Sequence, residues 1–199
     1  MIILVATKNV DKFNTTVGIF TKLGLNKFTY KNLLDYKIIG ENEEIGSLRE
    51  RAQGKVEFTL KTLKVNDIND EIKLIVGIDD GFYVPSSDLL TANSKELVDD
   101  ILSGKILDKG EIIEEVRSYA IYNTSTEKYH YYESRLPLIY LGNDEGIKRE
   151  EGKNPLKHVL SFESELQPIG DHTQEEIDKE ILKYIEADFK NILRKAITL

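Results

Sequence analysis

Residues 2–12 read IILVATKNVDK, and this stretch decides the fold that we predict. The apolar run at residues 2–6 is typical of a buried strand, and a helical pattern of apolar side chains follows it from Phe13 to Leu23. The polar residues between them therefore join a strand to the start of a helix. Because the first N–H groups of a helix lack partners within it and its dipole is positive there, this turn is a candidate anion site.

Three side chains of the turn strengthen this prediction. Thr7 and Asn9 offer hydrogen-bond donors, and Lys12 offers a full positive charge. The turn lacks the glycines of a P-loop or a dinucleotide-binding fingerprint. The alternative is an ordinary N-capped helix with an exposed lysine, and the turn taken alone favours this alternative because such caps are common.

The composition limits the class of protein. The chain has 199 residues, 40% of them hydrophobic, as expected for one globular domain. Its formal net charge of −8 argues against non-specific binding to a nucleic-acid backbone. We find no apolar run long enough for a bilayer and no signal-peptide pattern, so we expect a cytoplasmic protein without a membrane partner. With no cysteine, a metal would need oxygen or histidine ligands, which favours Mg²⁺.

The rest of the chain alternates strand and helix patterns. We predict helices at residues 47–64, 94–102 and 173–196, of which the first and last begin with capping boxes, Ser47 with Glu50 and Thr173 with Glu176. We predict strands at residues 27–30, 36–39, 73–78, 112–123, 129–141 and within 155–162, the fourth and fifth forming a long hairpin. This order predicts an α/β fold with a mixed sheet.

Two acidic residues, Asp79 and Asp80, follow the apolar run at residues 73–78. Ligands of open α/β sheets bind beyond the carboxyl ends of strands, and carboxylates placed there can hold Mg²⁺ or orient a water molecule. The alternative is an Asx turn, since Asp-Asp-Gly is also favourable turn chemistry. Glu50 is a further candidate acid, although its place in a capping box is a sufficient explanation for it.

A fourth, weaker cluster comprises Lys153, Asn154, Lys157 and His158. A single histidine beside a strand is more often structural than catalytic. The charged segment at residues 143–154 is either a lid or a solvated connection. Together, the phosphate donors, the oxygen ligands and the acids are the parts that a Mg²⁺-dependent phosphoanhydride hydrolase needs.

The order of these parts resembles the inosine/xanthosine triphosphate pyrophosphatases, whose architecture is called the ITPase-like fold. These enzymes hydrolyse non-standard purine nucleoside triphosphates to monophosphate and pyrophosphate. Thr7, Asn9 and Lys12 have the spacing of the family's opening motif.

Residues 46–55 are similar to the family's second motif, in which an aromatic residue, a Glu pair, Asn-Ala and a Lys open a helix. Glu50, Ala52 and Lys55 match this pattern. Arg51 stands in the position of the asparagine.

Residues 77–82 resemble the family's acidic motif in two registers. One register places Asp79 on the catalytic acid and the other allows Asp80; we favour Asp79. Lys153 and His158 resemble parts of its base-recognition segment.

The resemblance implies an elongated, twisted mixed sheet flanked by helices, two lobes with a central cleft in a single domain, and a homodimer. It also implies functional roles. The phosphates would be bound by Thr7, Asn9, Lys12 and Lys55, and the base would be contacted by Lys153 and His158. Mg²⁺ would be held by Glu50 with Asp79 or Asp80. One of these two aspartates would activate the attacking water. Residues 138–144 replace the family's Gly-Phe-Gly-Tyr-Asp-Pro loop, which helps to hold the purine.

Two other functions remain open. Arg51, the altered acidic motif and the replaced purine loop are consistent with a nucleotide-binding or regulatory protein that has lost catalysis. A sister activity on modified pyrimidine nucleotides, as in the Maf-like pyrophosphatases, is the other alternative.

Overall fold

The structure, a computed structural model, describes residues 1–40, 45–65, 71–91, 94–148 and 155–198. The helices are α1 (Val10–Phe20), α2 (Leu48–Val65), α3 (Ser94–Leu102) and α4 (Gln174–Ile197). The strands are β1 (Ile2–Val5), β2 (Thr29–Asn32), β3 (Ile72–Val84), β4 (Leu89–Thr91), β5 (Ile112–Asn123), β6 (Lys128–Tyr140) and β7 (Leu160–Phe162). Among these residues, no helix has both the length and the apolar composition needed to cross a bilayer.

All the strands belong to one mixed sheet in the order β2-β1-β3-β5-β6-β7, with β4 paired to β3. β1 runs parallel to both β2 and β3, whereas β4 and β7 pair antiparallel with β3 and β6. The predicted α/β fold with a mixed sheet flanked by helices is therefore confirmed.

Neighbouring residues of β5 show how the sheet is covered on both faces. Ala120 belongs to an apolar cluster with Ala52 and Val56 of α2, whereas the ring of Tyr119 lies 4.6 Å from that of Phe189 on α4. Phe20, at the end of α1, packs edge-on against the same Phe189 ring, at 5.5 Å. Since consecutive side chains of a strand point to opposite faces, α2 covers one face and α1 with α4 the other.

The chain divides into two compact units. The first comprises Met1–Asp79, Arg117–Glu133 and Ile185–Leu199, and the second comprises Asp80–Val116 and Ser134–Tyr184. Each has its own buried apolar side chains. Those of the second include Ile101, Leu107, Ile113, Leu138, Leu160 and Phe162.

Two strand predictions are wrong in part or in full. The strand expected at residues 27–30 is β2 and lies two residues later in the chain. The strand expected at residues 36–39 does not form, because Leu34–Tyr36 make a turn of 3-10 helix and Lys37 has a left-handed backbone with φ of 57°. The local β pattern was overridden by this turn.

The predicted end of the third strand is also wrong. β3 continues through both acids to Val84, and its last three residues pair with β4, which we did not predict. The Asx turn proposed as the alternative for Asp79 and Asp80 is wrong for the same reason. The predicted helices and the long hairpin are confirmed within one or two residues, apart from the first helix, whose regular part ends at Phe20.

Candidate active site

A close approach between α2 and β3 positions the site. Gly77 lies so near the helix that a Cβ atom added to it would be 1.9 Å from the carbonyl oxygen of Ala52. Alternation along the strand places Asp79 on the same face as Gly77, towards α2. The absence of a side chain at residue 77 therefore brings the helix within reach of the acid.

Asp79 is buried and pairs with two cations of α2. Lys55 Nζ donates to Asp79 Oδ1 and also to the carbonyl oxygen of Ile78, at 3.1 Å. Arg51 Nη1 donates to Asp79 Oδ2 at 3.4 Å. The Asp79 side chain is only 6% exposed, compared with 17% for Lys55 and 15% for Arg51. Each oxygen of this carboxylate thus has a positively charged donor.

The turn between β1 and α1 is a well-formed helix cap. Asn9 is the N-cap of α1 and its Oδ1 accepts the backbone N–H of Lys12 at 3.0 Å, while Thr7 Oγ1 accepts the N–H of Asn9 at 3.1 Å. The turn therefore has the geometry of an ordinary N-capped helix, which was the alternative to an anion site. It does not remove the anion site, because the Thr7 hydroxyl and the Asn9 amide keep protons to donate.

The sheet register brings this turn towards Asp79. Val5 lies opposite Val76 in the parallel pair of β1 and β3, and the next residue, Ala6, donates its N–H to Val76 O at 2.8 Å. β1 ends there, while β3 runs on for three residues to Asp79. The Thr7 turn and Asp79 thus both lie beyond the carboxyl end of β1, within the first unit.

Glu50 is exposed, and its carboxylate closes the capping box of α2. Its Oε2 accepts the backbone N–H and the hydroxyl of Ser47, each at 2.8 Å. These hydrogen bonds lower the pKa of Glu50. The capping function is confirmed by these contacts, and the role of Glu50 as a Mg²⁺ ligand stays a prediction.

The role of Asp79 as a Mg²⁺ ligand stays a prediction, and the present partners of its carboxylate bear on it. In the parts of the chain that the structure describes, no three His, Asp, Glu or Cys side chains form a metal-binding group. Asp79, the predicted metal ligand, is instead held by Lys55 and Arg51. Mg²⁺ is commonly bound by one or two carboxylates plus substrate phosphates, so a cation that arrives with a triphosphate remains compatible with this site.

Asp80 is the first residue of the second unit and is half-buried. The alternation of side chains in β3 directs it to the face opposite Asp79. The two candidate acids are therefore not equivalent, and the contacts with α2 distinguish Asp79.

The second unit contains a pocket of about 590 Å³. Its lining includes Tyr140 and Asp144, which belong to the segment that stands in the position of the purine loop. His158 also lines it. Lys109 also lines the pocket and pairs with Asp144 at 2.6 Å. The structure thus places His158, a predicted base contact, in one pocket with residues of the segment that stands in the position of the purine loop. Lys153, the other predicted base contact, lies outside the described residues, as does the part of the predicted lid at residues 149–154.

Arg51 is the site residue that sequence reasoning missed. It was noted only as a departure from a motif, although it lies four residues before Lys55. That spacing puts both side chains on one face of the helix, which is the signal that could have identified the pair.

No protein-family model matches the chain, and no curated protein matches its sequence. Solved structures do match along the full length. A structure from Coxiella burnetii described as a HAM1 protein has a TM-score of 0.66 at 10% identity, covering 98% of this chain and 99% of that one. This chain has the ITPase-like fold.

A second ITPase-like structure, from Mycobacterium abscessus, is described as a nucleoside-triphosphatase and dITP/XTP pyrophosphatase. Its TM-score is 0.53 at 18% identity, and the match covers 100% of this chain and 99% of the other. The resemblance drawn from the motifs is thus confirmed at the level of the fold.

Proposed function

We propose that this protein is a nucleoside triphosphate pyrophosphatase that acts on the Mg²⁺ complex of its substrate. The observation that carries the proposal is the buried Asp79, which pairs with two cations of α2 and lies, like the Thr7 turn, beyond the carboxyl end of β1. The full-length likeness to a protein described as a dITP/XTP pyrophosphatase supports the same activity.

The proposed reaction is a displacement at phosphorus. A water oxygen bonds to the α-phosphorus, the bond from that phosphorus to the bridging oxygen breaks, and pyrophosphate leaves. Asp79 orients the water and accepts its proton; Asp80 is the second candidate for this role. Thr7, Asn9 and Lys12 would bind phosphate oxygens at the start of α1, together with Lys55.

Mg²⁺ enters this proposal as part of the substrate. The triphosphate supplies most of its oxygen ligands, and Glu50 with one of the two aspartates is the predicted protein contribution. When bound, the cation would neutralise charge on the phosphates. We further propose that His158 and Lys153 contact the base and that the protein is a homodimer.

One observation favours the rival function, a nucleotide-binding protein without catalysis. Both oxygens of Asp79 already have cationic partners, and Arg51 provides one of them. Such an acid is less available to a water molecule than one without these contacts. The third alternative, a Maf-like activity, predicts turnover with a preference for pyrimidines.

A substrate panel separates these three functions. The full chain is incubated with inosine, xanthosine, standard purine and pyrimidine triphosphates, with and without Mg²⁺, and pyrophosphate is measured. We expect Mg²⁺-dependent release of pyrophosphate with a purine preference. Binding without any release would establish the rival.

The assigned base is tested by Asp79→Asn and Asp80→Asn, made separately. General-base catalysis contributes about 10²–10⁴-fold, so Asp79→Asn should reduce turnover by about that factor. Asp80→Asn makes the same change of charge at the second candidate, so the variant in which turnover collapses identifies the base. If both variants retain full pyrophosphate release, the proposed mechanism is wrong.

A further inference from the structure

Tyr131 of β6 contacts α2 with both its hydroxyl and its ring. The hydroxyl donates to Gln53 Oε1 at 2.8 Å, and the centre of the ring lies 3.8 Å from the guanidinium carbon of Arg49. The amide of Gln53 is oriented for this bond, since its Nε2 donates to Glu57 Oε1 at 2.7 Å. A hydrogen bond and a cation–π contact therefore hold the start of α2 against β6.

These contacts lie on the flank of α2 that faces away from the candidate site. Arg49 and Gln53 are four residues apart and share one face of the helix. Arg51 and Lys55 have the same spacing and share the face that meets Asp79. At about 100° per residue, the two pairs are about 200° apart around the helix axis.

The sheet has the width that such a helix needs. β5 lies between β3 and β6 in the sheet, so two strand spacings of about 4.8 Å separate the outer two strands. This distance of about 10 Å is close to the diameter of a helix with its side chains, about 10–12 Å. One flank of α2 thus reaches Asp79 on β3 while the other reaches Tyr131 on β6.

We propose that Tyr131 is a positioning residue that sets the rotation of α2 about its axis and thereby places the helix cations at Asp79. The close approach at Gly77 sets the distance between helix and strand, but a glycine has no side chain that resists rotation. Side-chain atoms lie about 5–6 Å from the axis, so a rotation of about 10° moves them by about 1 Å. The consequence for catalysis rests on the proposed function, whereas the position of the helix does not.

The surroundings of Tyr131 make its ring a rigid support. It stacks on the ring of Tyr129 with an angle of 10° between the planes and 5.8 Å between the centres, and the Tyr129 ring lies 4.9 Å from that of Tyr122 on β5. All three rings also pack against the apolar cluster that includes Ala52. The β5–β6 hairpin thus supports the helix through this row of aromatic rings.

The chain offers a matched control in Tyr129. Tyr131→Phe removes the hydrogen bond to Gln53 and keeps the ring beside Arg49, whereas Tyr131→Leu removes both contacts. Tyr129→Phe removes a hydroxyl from the adjoining ring of the same strand and leaves the contacts with Arg49 and Gln53 in place. Urea unfolding establishes that each variant is folded.

The first measurement is the side-chain carboxyl ¹³C resonance of Asp79 in the nucleotide-free full chain, assigned by its loss in Asp79→Asn. Its chemical shift responds to the positions of the charged donors at the carboxylate. We expect it to move in Tyr131→Leu, to move less in Tyr131→Phe and to stay in place in Tyr129→Phe. If Tyr131→Leu does not fold, Tyr131→Phe decides. A resonance that keeps its wild-type position in every folded Tyr131 variant would overturn the proposal.

The second measurement is the kcat of pyrophosphate release by the folded variants. A misplacement of about 1 Å costs about 100-fold in rate, so Tyr131→Leu should lose about that factor, Tyr131→Phe less, and Tyr129→Phe nothing. A side chain that contributed only to stability would leave kcat unchanged, and that result with an active wild type would overturn the positioning role. A wild type that releases no pyrophosphate would refute the proposed function alone, because the resonance is measured without nucleotide.

Discussion

Gly77→Ala tests whether the contact between α2 and β3 assembles the candidate site. The new methyl group would lie 1.9 Å from Ala52 O and 3.0 Å from Val56 Cγ2. An ordinary van der Waals contact begins near 3.4 Å, so the helix and the strand must separate by about 1.5 Å. The obstacle is backbone, which a change of rotamer cannot relieve.

The separation has an energetic and a catalytic consequence. Overpacking of this kind costs about 1–3 kcal/mol, and we expect a loss of about 2 kcal/mol in the free energy of unfolding. Lys55 and Arg51 would move with the helix, away from Asp79. A misplacement of about 1 Å costs about 100-fold in rate, so pyrophosphate release should fall by about that factor.

Urea unfolding measures the first effect, and pyrophosphate release at saturating substrate measures the second. Gly170→Ala is the control for the unfolding measurement, since its nearest neighbour would be Lys157 O at 3.3 Å, which a small adjustment accommodates. The reasoning is refuted if Gly77→Ala has the urea midpoint and turnover of the wild type.

Two further perturbations test the cap and the tyrosines. Asn9→Ala should lower stability by about 1 kcal/mol through loss of the cap to Lys12 N, whereas Asn9→Asp should keep stability and raise KM by placing a negative charge at the proposed phosphate site. An unchanged KM for Asn9→Asp would show that the turn does not bind the phosphates. Burial raises the pKa of Tyr30, Tyr129 and Tyr132 to about 12. Because the folded state holds these protons more tightly than the unfolded chain, stability should fall as the pH rises from about 10 to about 12. The loss of stability is measured as the difference between the urea midpoints at pH 9 and pH 11, and the ionisation of the tyrosines is followed by absorbance at 295 nm. Ionisation of all tyrosines near pH 10 in the folded protein would contradict the raised pKa values.

Local patterns predicted the elements that are stabilised by their own residues. Ser47 and Glu50 exchange the hydrogen bonds of a capping box, so the start of α2 followed directly from four residues. Thr173 and Glu176 do the same before α4. Such contacts span one helical turn, and sequence spacing alone specifies them.

β3 is an element that local sequence patterns did not predict correctly. Asp79-Asp80-Gly81 is turn chemistry, but the strand passes through it because Phe82, Tyr83 and Val84 pair with β4. The pairing energy comes from residues 89–91, which give no strong strand pattern of their own. A turn predicted from three residues was therefore replaced by a strand that tertiary pairing extends.

The sequence by itself determined the alternation of strands and helices, the Thr7 turn at the start of α1, and the acids that are candidates for catalysis. Only the tertiary structure decided which acid lies against α2 and which cations of that helix it pairs with. Arg51 lies 28 residues before Asp79, and their pairing depends on how α2 lies against β3. That register is fixed by packing, at a glycine that lets a helix approach a strand closely, and no local spacing encodes it.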